Sequence, residues 1–251
     1  MPSVEPRPYV LRGSGGTRIT ITASPTRLSR GDTLAGTVTL TGGSKPRTLE
    51  VVRVELHEHW PESSGESTTT HYEPRTVTTL ANRMEIMPGA SHQWSFRFTL
   101  PREGRFTTKN NREGWSLYAH AVIAWGVDPR HRLPLTVLPE AAILAMDAEL
   151  EALGFTPIST EGKGEVAILN RRAPRRWSRY IDAIAFHCVL HGSRVQVVAE
   201  VNWQERGFGD VLRALVRRDR THHELTLSPK DAKRVLGRFF SELGLPADRE
   251  A

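Results

Sequence analysis

The sequence predicts a mainly β protein: two antiparallel β-sandwich lobes joined by a short junction helix and closed by a C-terminal amphipathic helix. Three observations carry this. In the first half, apolar and polar residues alternate with a period of two in segment after segment, and Gly/Pro turns rather than helices separate the segments. The alternation gives way after Pro139 to one short helical pattern and then resumes. The tail carries a continuous apolar stripe at helical spacing. The implied division is a flexible N-terminal segment (1–16), an N-terminal sandwich (17–139), the junction helix (140–154), a C-terminal sandwich lobe (155–228), and a helix with its tail (229–251).

The run Gly13-Ser14-Gly15-Gly16 reads as a flexible lead-in. Residues 18–24 put Ile19, Ile21 and Ala23 on one face, and residues 36–41 repeat the pattern with Val38 and Leu40. Between them 25–32 is rich in turn residues, and Gly42-Gly43 ends the second strand. Residues 49–60 alternate Val52, Val54, Leu56 and Trp60 with Arg53, Glu55, His57 and His59. Residues 92–100 place Trp94, Phe96, Phe98 and Leu100 together, and 117–127 do the same with Leu117, Ala119, Ala121, Ile123, Trp125 and Val127. Leu133, Leu135 and Val137 continue the pattern. The predicted first-lobe core contains Trp60, Trp94, Phe96, Phe98, Ile123 and Trp125.

In the second half, Ile143, Met146, Leu150 and Leu153 recur at helical spacing and Gly154 supplies a stop. Residues 180–190 are apolar on both faces, as suits a central strand, and 194–203 alternate through Val195, Val197, Ala199, Val201 and Trp203. Residues 221–227 close this sheet, and 210–218 hold one or two helical turns. In the tail, Ser228 reads as a cap, Pro229 as the first helical position, and Asp231 as a first-turn acid. Ala232, Val235, Leu236, Phe239, Phe240 and Leu243 form the stripe, expected to pack on the second lobe, with a partner or membrane surface as the alternative. Gly244 and Pro246 end the helix.

With 38% hydrophobic and 25% charged residues over 251 positions, the chain has enough apolar residues for real cores. No stretch approaches the roughly 20 apolar residues of a membrane helix, and the opening lacks an apolar run, so a cytoplasmic location is the expectation. The net charge of +6 is spread over both halves, so nucleic acid is not the expected partner. The single cysteine, Cys188, excludes an internal disulfide.

Three segments together resemble one family. The first is 23–43, with Pro25-Thr26, then Arg30-Gly31-Asp32-Thr33-Leu34-Ala35-Gly36-Thr37-Val38, then Gly42-Gly43. The second has Val127-Asp128-Pro129 leading into Leu133-Pro134-Leu135-Thr136-Val137-Leu138-Pro139. The third has Glu200-Val201-Asn202 before Arg206-Gly207-Phe208-Gly209. In this order they resemble the bacterial sporulation-control proteins of stage zero, type M (SpoOM-like). The resemblance implies arrestin-like lobes in a cytoplasmic, non-enzymatic adaptor or regulator. It also implies protein partners from sporulation control or the cell-division and cytoskeletal machinery. It implies no catalytic residues and no cofactor.

His57 and His59 share a strand face, with Glu58 on the other. They read first as solvent-facing sheet histidines. The alternative is a metal-dependent enzyme with His71 or His120 as a third ligand. His187 with His191, and His222-His223, read as structural. Cys188 alternates with Phe186 and Leu190, which argues for burial and an inert thiol. No phosphate-cradling loop or hydrolase elbow occurs. The sharpest feature is Arg171-Arg172-Ala173-Pro174-Arg175-Arg176-Trp177-Ser178-Arg179, read as a loop before a strand. Arg171, Arg172, Arg175, Arg176 and Arg179 are expected to form an exposed patch for an acidic or anionic partner, with an accessible Trp177 to stack. Arg217-Arg218-Asp219-Arg220 is a smaller companion. A nucleic-acid module using the arginine loop is the remaining alternative.

Overall fold

Period-two alternation puts Ile19, Ile21, Val38, Leu40, Phe96 and Phe98 on one face of a three-stranded antiparallel sheet, and all six are buried. The computed structural model describes residues 9–64, 67–107, 114–163, 165–191, 194–203 and 222–245. The chain divides into two units, Met1–Leu138 and Pro139–Ala251. The predicted turns at 210–218, the Arg206–Gly209 motif and the 217–220 charge cluster lie outside the described residues.

The first unit contains β1 (Tyr9–Leu11), β2 (Arg18–Ser24), β3 (Arg27–Ser29), β4 (Thr33–Thr41), β5 (Arg47–Ser64), β6 (Ser67–Ile86), β7 (Ser91–Thr99), β8 (Gly114–Ile123) and β9 (Arg130–Leu138). One sheet runs β1-β9-β8-β5-β6, with β3 pairing parallel to β9; the other runs β2-β4-β7. Val52, Val54 and Leu56 on β5 and Leu117, Ala119 and Ala121 on β8 face the smaller sheet across one core. That is a β-sandwich by the ordinary rule of two inner apolar faces.

Several first-unit expectations are corrected. Residues 1–16 are not wholly a flexible lead-in: Tyr9–Leu11 pair with Arg130–Arg132, and Ser14 donates its N–H to the Val127 carbonyl at 2.9 Å. Trp60 and Trp94 are only half-buried. Trp125 is fully exposed at 102% and Val127 is exposed, because β8 ends at Ile123 and the chain turns. The 20-residue β6 was missed by sequence reading, since its threonines, Pro74 and two register shifts against β5 hide any alternation. Glu58 sits at an inward position of β5 and is 4% exposed; it accepts the Arg105 N–H at 2.7 Å and lies near the Arg75 and Arg105 guanidinium groups.

The second unit holds α1 (Ala141–Ala152), β10 (Thr156–Lys163), β11 (Val166–Arg172), β12 (Ile181–His191), β13 (Arg194–Trp203), β14 (His222–Leu227) and α2 (Ala232–Glu242). Its sheet is a meander in the order β10-β11-β12-β13-β14, antiparallel throughout. Ala167, Leu169, Ile184, Phe186, Cys188, Val195, Val197 and Ala199 form its buried face. Among the described residues, helices rather than a second sheet supply the opposing layer. α1 buries Ile143, Met146 and Leu150; α2 buries Leu236, Phe239 and Phe240. Phe239 meets Phe186 at 6.4 Å, and Phe240 stacks on Phe155 at 5.2 Å, so the tail helix packs within its own unit. α2 starts one turn later than predicted: Asp231, not Ser228, stands at its cap, and its carboxylate accepts the Ser228 N–H at 2.6 Å. Gly154 and Gly244 follow the two helices at φ of 86° and 68°, the left-handed conformation that ends helices.

Candidate functional site

The arginine-rich stretch is divided by the sheet. Arg171 and Arg172 belong to β11, not to a loop, and Arg171 continues the buried row of Ala167 and Leu169. It is 1% exposed. Its Nε donates to Asp147 at 2.7 Å, its Nη1 to the carbonyls of Ser159 and Asn170 at 2.8 and 2.9 Å, and its Nη2 to Thr160 Oγ1 at 3.0 Å. A guanidinium so enclosed is structural. Trp177 is also buried, packed against Phe155 and Phe240 at 5.5 and 4.9 Å. The expectation that Arg171 and Trp177 belong to an exposed patch is therefore corrected. The alternation 167–169–171 was the available signal for Arg171.

Arg172, Arg175, Arg176 and Arg179 are exposed. Residues 173–180 are a tight connection held by bonds from the Trp177, Tyr180 and Ile181 amides. Arg176 donates to the Leu153 carbonyl at 2.8 Å and covers the Trp177 ring at 4.8 Å. Arg172, Arg175 and Arg179 face solvent.

The second constellation lies on the outward face of the six-stranded sheet. Tyr9, Glu55, His57, Tyr72, Tyr118, His120, Arg130 and Arg132 line an open depression of about 480 Å³. Register explains the gathering: Glu55 on β5 stands opposite Tyr118 on β8, which stands opposite Arg132 on β9, which stands opposite Tyr9 on β1. Glu55 hydrogen-bonds His57 Nε2 at 2.7 Å and approaches His120 Nε2 at 3.5 Å. The His57 bond holds the Glu55 carboxyl below its ordinary pKa against the opposing effect of burial. Burial lowers His120 as well. His59 is 4% exposed, stacks on Tyr72 at 5.6 Å, and is pushed down to about 4, first by burial and then by Arg132 and His57. Burial pushes the Tyr118 phenol up to about 12.

These histidines do not converge as ligands. His57 is engaged with Glu55, His59 lies under Tyr72, and His71 stacks on Trp60 at 5.8 Å. Among the described residues no three His, Cys, Asp or Glu side chains are placed to hold a metal ion. His187 lies 3.6 Å from Glu200, and His223 packs its ring on Phe239 at 5.4 Å. Cys188 is fully buried, and burial raises its thiol far above the ordinary range. Sequence reading did not find the gathering of Tyr9, Tyr72, Tyr118 and Arg132, because it depends on pairing between strands far apart in the chain.

A β-sandwich followed by a second antiparallel β unit agrees with the arrestin-like fold that the resemblance implies. The chain belongs to the Spo0M (SpoOM protein) family, whose sequence model matches residues 11–204. Its fold is that of the crystal structure of Spo0M, sporulation control protein, from Bacillus subtilis. The TM-score is 0.66 at 15% identity, covering 90% of this chain and 97% of that one. The search of curated proteins returned no match. The family match ends before β14 and α2. Among the described residues no helix is long and apolar enough to cross a membrane.

Proposed function

We propose that this protein is a non-enzymatic cytoplasmic adaptor or regulator, of the sporulation-control kind, that acts by binding other proteins through sheet edges and surface loops. The observation that supports this best is the open edges of its sheets: strands at the borders carry backbone N–H and C=O groups able to pair with an extended segment. The exposed arginines Arg172, Arg175 and Arg179 suit an acidic surface on such a partner, whether in the cell-division machinery or elsewhere. Arg171 and Trp177 are left out of this surface because the fold uses them internally.

The test is affinity capture from native lysate with the intact protein and with an Arg172→Ser, Arg175→Ser, Arg179→Ser variant. The expected result is a defined protein partner whose recovery falls in the variant and in raised salt. A turnover found with purified protein, or capture of nucleic acid alone, would overturn the reading.

A further inference from the structure

The border strands differ in how they are closed. β1 and β3 have three residues each, and β14 has six. On β2 the Ile21 N–H is taken by His131 Nδ1. β6 carries Pro74, two register shifts against β5, and Arg83 at a φ of 42°. β10 carries Pro157 and a register shift beside it. Such features are how proteins keep an edge from pairing. β7 has none of them. It pairs with β4 over nine successive residues without a shift, contains no proline, and among the described residues receives no hydrogen bond on its other side.

The inner face of the larger sheet is least covered on the side of this edge. β2 lies against β1, β8 and β9, whereas β7 approaches β6. Val52, Val54 and Leu56 are fully buried, but the residues opposite them on β6, Ala81, Thr78 and Thr76, are only half-buried, as is Met84 opposite Leu49. Trp94 on β7 is half-buried too. The inner face of β6 is thus less covered than that of β5.

We propose that the β7 edge accepts one extended segment of another protein as a fourth strand, seated over the inner face of β6. This rests on the adaptor reading and specifies its edge and the chemistry of the segment. Alternate side chains of the segment are apolar and cover Thr78, Ala81, Met84 and Trp94; the residues between are polar. One is a carboxylate facing Arg97, whose neighbour on β4 is Ala35 and which has no acidic partner among the described residues.

The experiment is photo-crosslinking in the native host, with benzoylphenylalanine replacing Ser95 on β7, Val77 on β6 or Ile158 on β10. If Ser95 proves intolerant by circular dichroism, Gln93 on the same outward row replaces it. The expected result is a crosslink from β7 to one short stretch of a partner. A synthetic nonapeptide of that stretch then slows amide exchange across residues 91–99. Arg97→Glu weakens the peptide about five- to tenfold, and exchanging the peptide's acid for lysine restores it. Crosslinks from Val77 or Ile158 but not from β7 overturn the edge assignment and leave the adaptor reading standing. Crosslinks from β7 to a second copy of this chain overturn the proposal. No crosslink at any position overturns both.

Discussion

The backbone N–H of Ile21 donates to Nδ1 of His131 at 2.9 Å, a bond between β2 of the smaller sheet and β9 of the larger. To accept, the imidazole must be neutral with its proton on Nε2. Burial, reinforced by Arg18, holds His131 below its ordinary pKa, which keeps it in that form. Replacing His131 with alanine strands a backbone donor, so a loss of about 1–3 kcal/mol is expected in urea unfolding. A variant as stable as the parent would show that the bond contributes nothing.

His131 shares its direction of shift with His120 and His59. Each imidazole takes a proton more readily in the unfolded chain than in the folded one. The unfolded state therefore binds more protons below the ordinary value of 6.5, and stability falls as pH falls. For His59 the loss runs from about 6.5 down to about 4. Urea midpoints should be flat above this window and decline through it, and His59→Gln should flatten part of the decline. A midpoint independent of pH across the window would contradict the assignment.

Arg171 and Arg172 are neighbours with opposite roles. Arg171→Ala removes four hydrogen-bond contacts and leaves Asp147 without its cation, so about 3 kcal/mol of stability should be lost. Arg172→Ala, on the exposed face, should stay within about 0.5 kcal/mol. Equal effects in urea unfolding would return both residues to the surface reading.

The contrast between these two arginines shows what the sequence could convey. Alternation located the strands β2, β4, β5, β7, β8, β9 and β13, because period two is a local signal of burial on one face, and β12 was found by its apolar run. Alternation missed β6 and β10, where proline, threonine and register shifts replace the apolar row. β11 escaped because a buried arginine ended its row and the basic run was read as a loop. Among the aromatics, Trp125 was placed inward by extending a pattern two residues past the strand that made it. The depression around Tyr118 was illegible, since β1, β5, β6, β8 and β9 meet only through pairing of distant segments.

Phe240 bridges elements that are far apart in sequence, touching Phe155 and Trp177 as well as Phe239. Phe240→Ala should cost about 3–5 kcal/mol, because the cavity it leaves is walled by aromatic rings that cannot all collapse into it. Trp177 fluorescence should shift to the red in the native variant. An unchanged spectrum and unchanged unfolding would favour a tail helix that leaves its own unit to bind elsewhere.

Trp125 stands in the turn between β8 and β9 at a φ of 55°, with its side chain wholly in solvent. A non-glycine residue in the left-handed region costs roughly 1 kcal/mol, and asparagine tolerates it better than an aromatic does. The turn itself is closed by other groups: Gly126 donates to the Ile123 carbonyl at 3.2 Å, and the Ile123 N–H is bound by the Asp128 carboxylate at 2.9 Å. No buried contact is lost when the indole is removed. Trp125→Asn should therefore raise stability by up to about 1 kcal/mol, and Trp125→Ala should leave it near the parent value. A core tryptophan would instead lose about 3–5 kcal/mol on truncation to alanine. Thermal or urea unfolding of the two variants separates these outcomes, and a large loss in Trp125→Ala would place the indole back inside the sandwich.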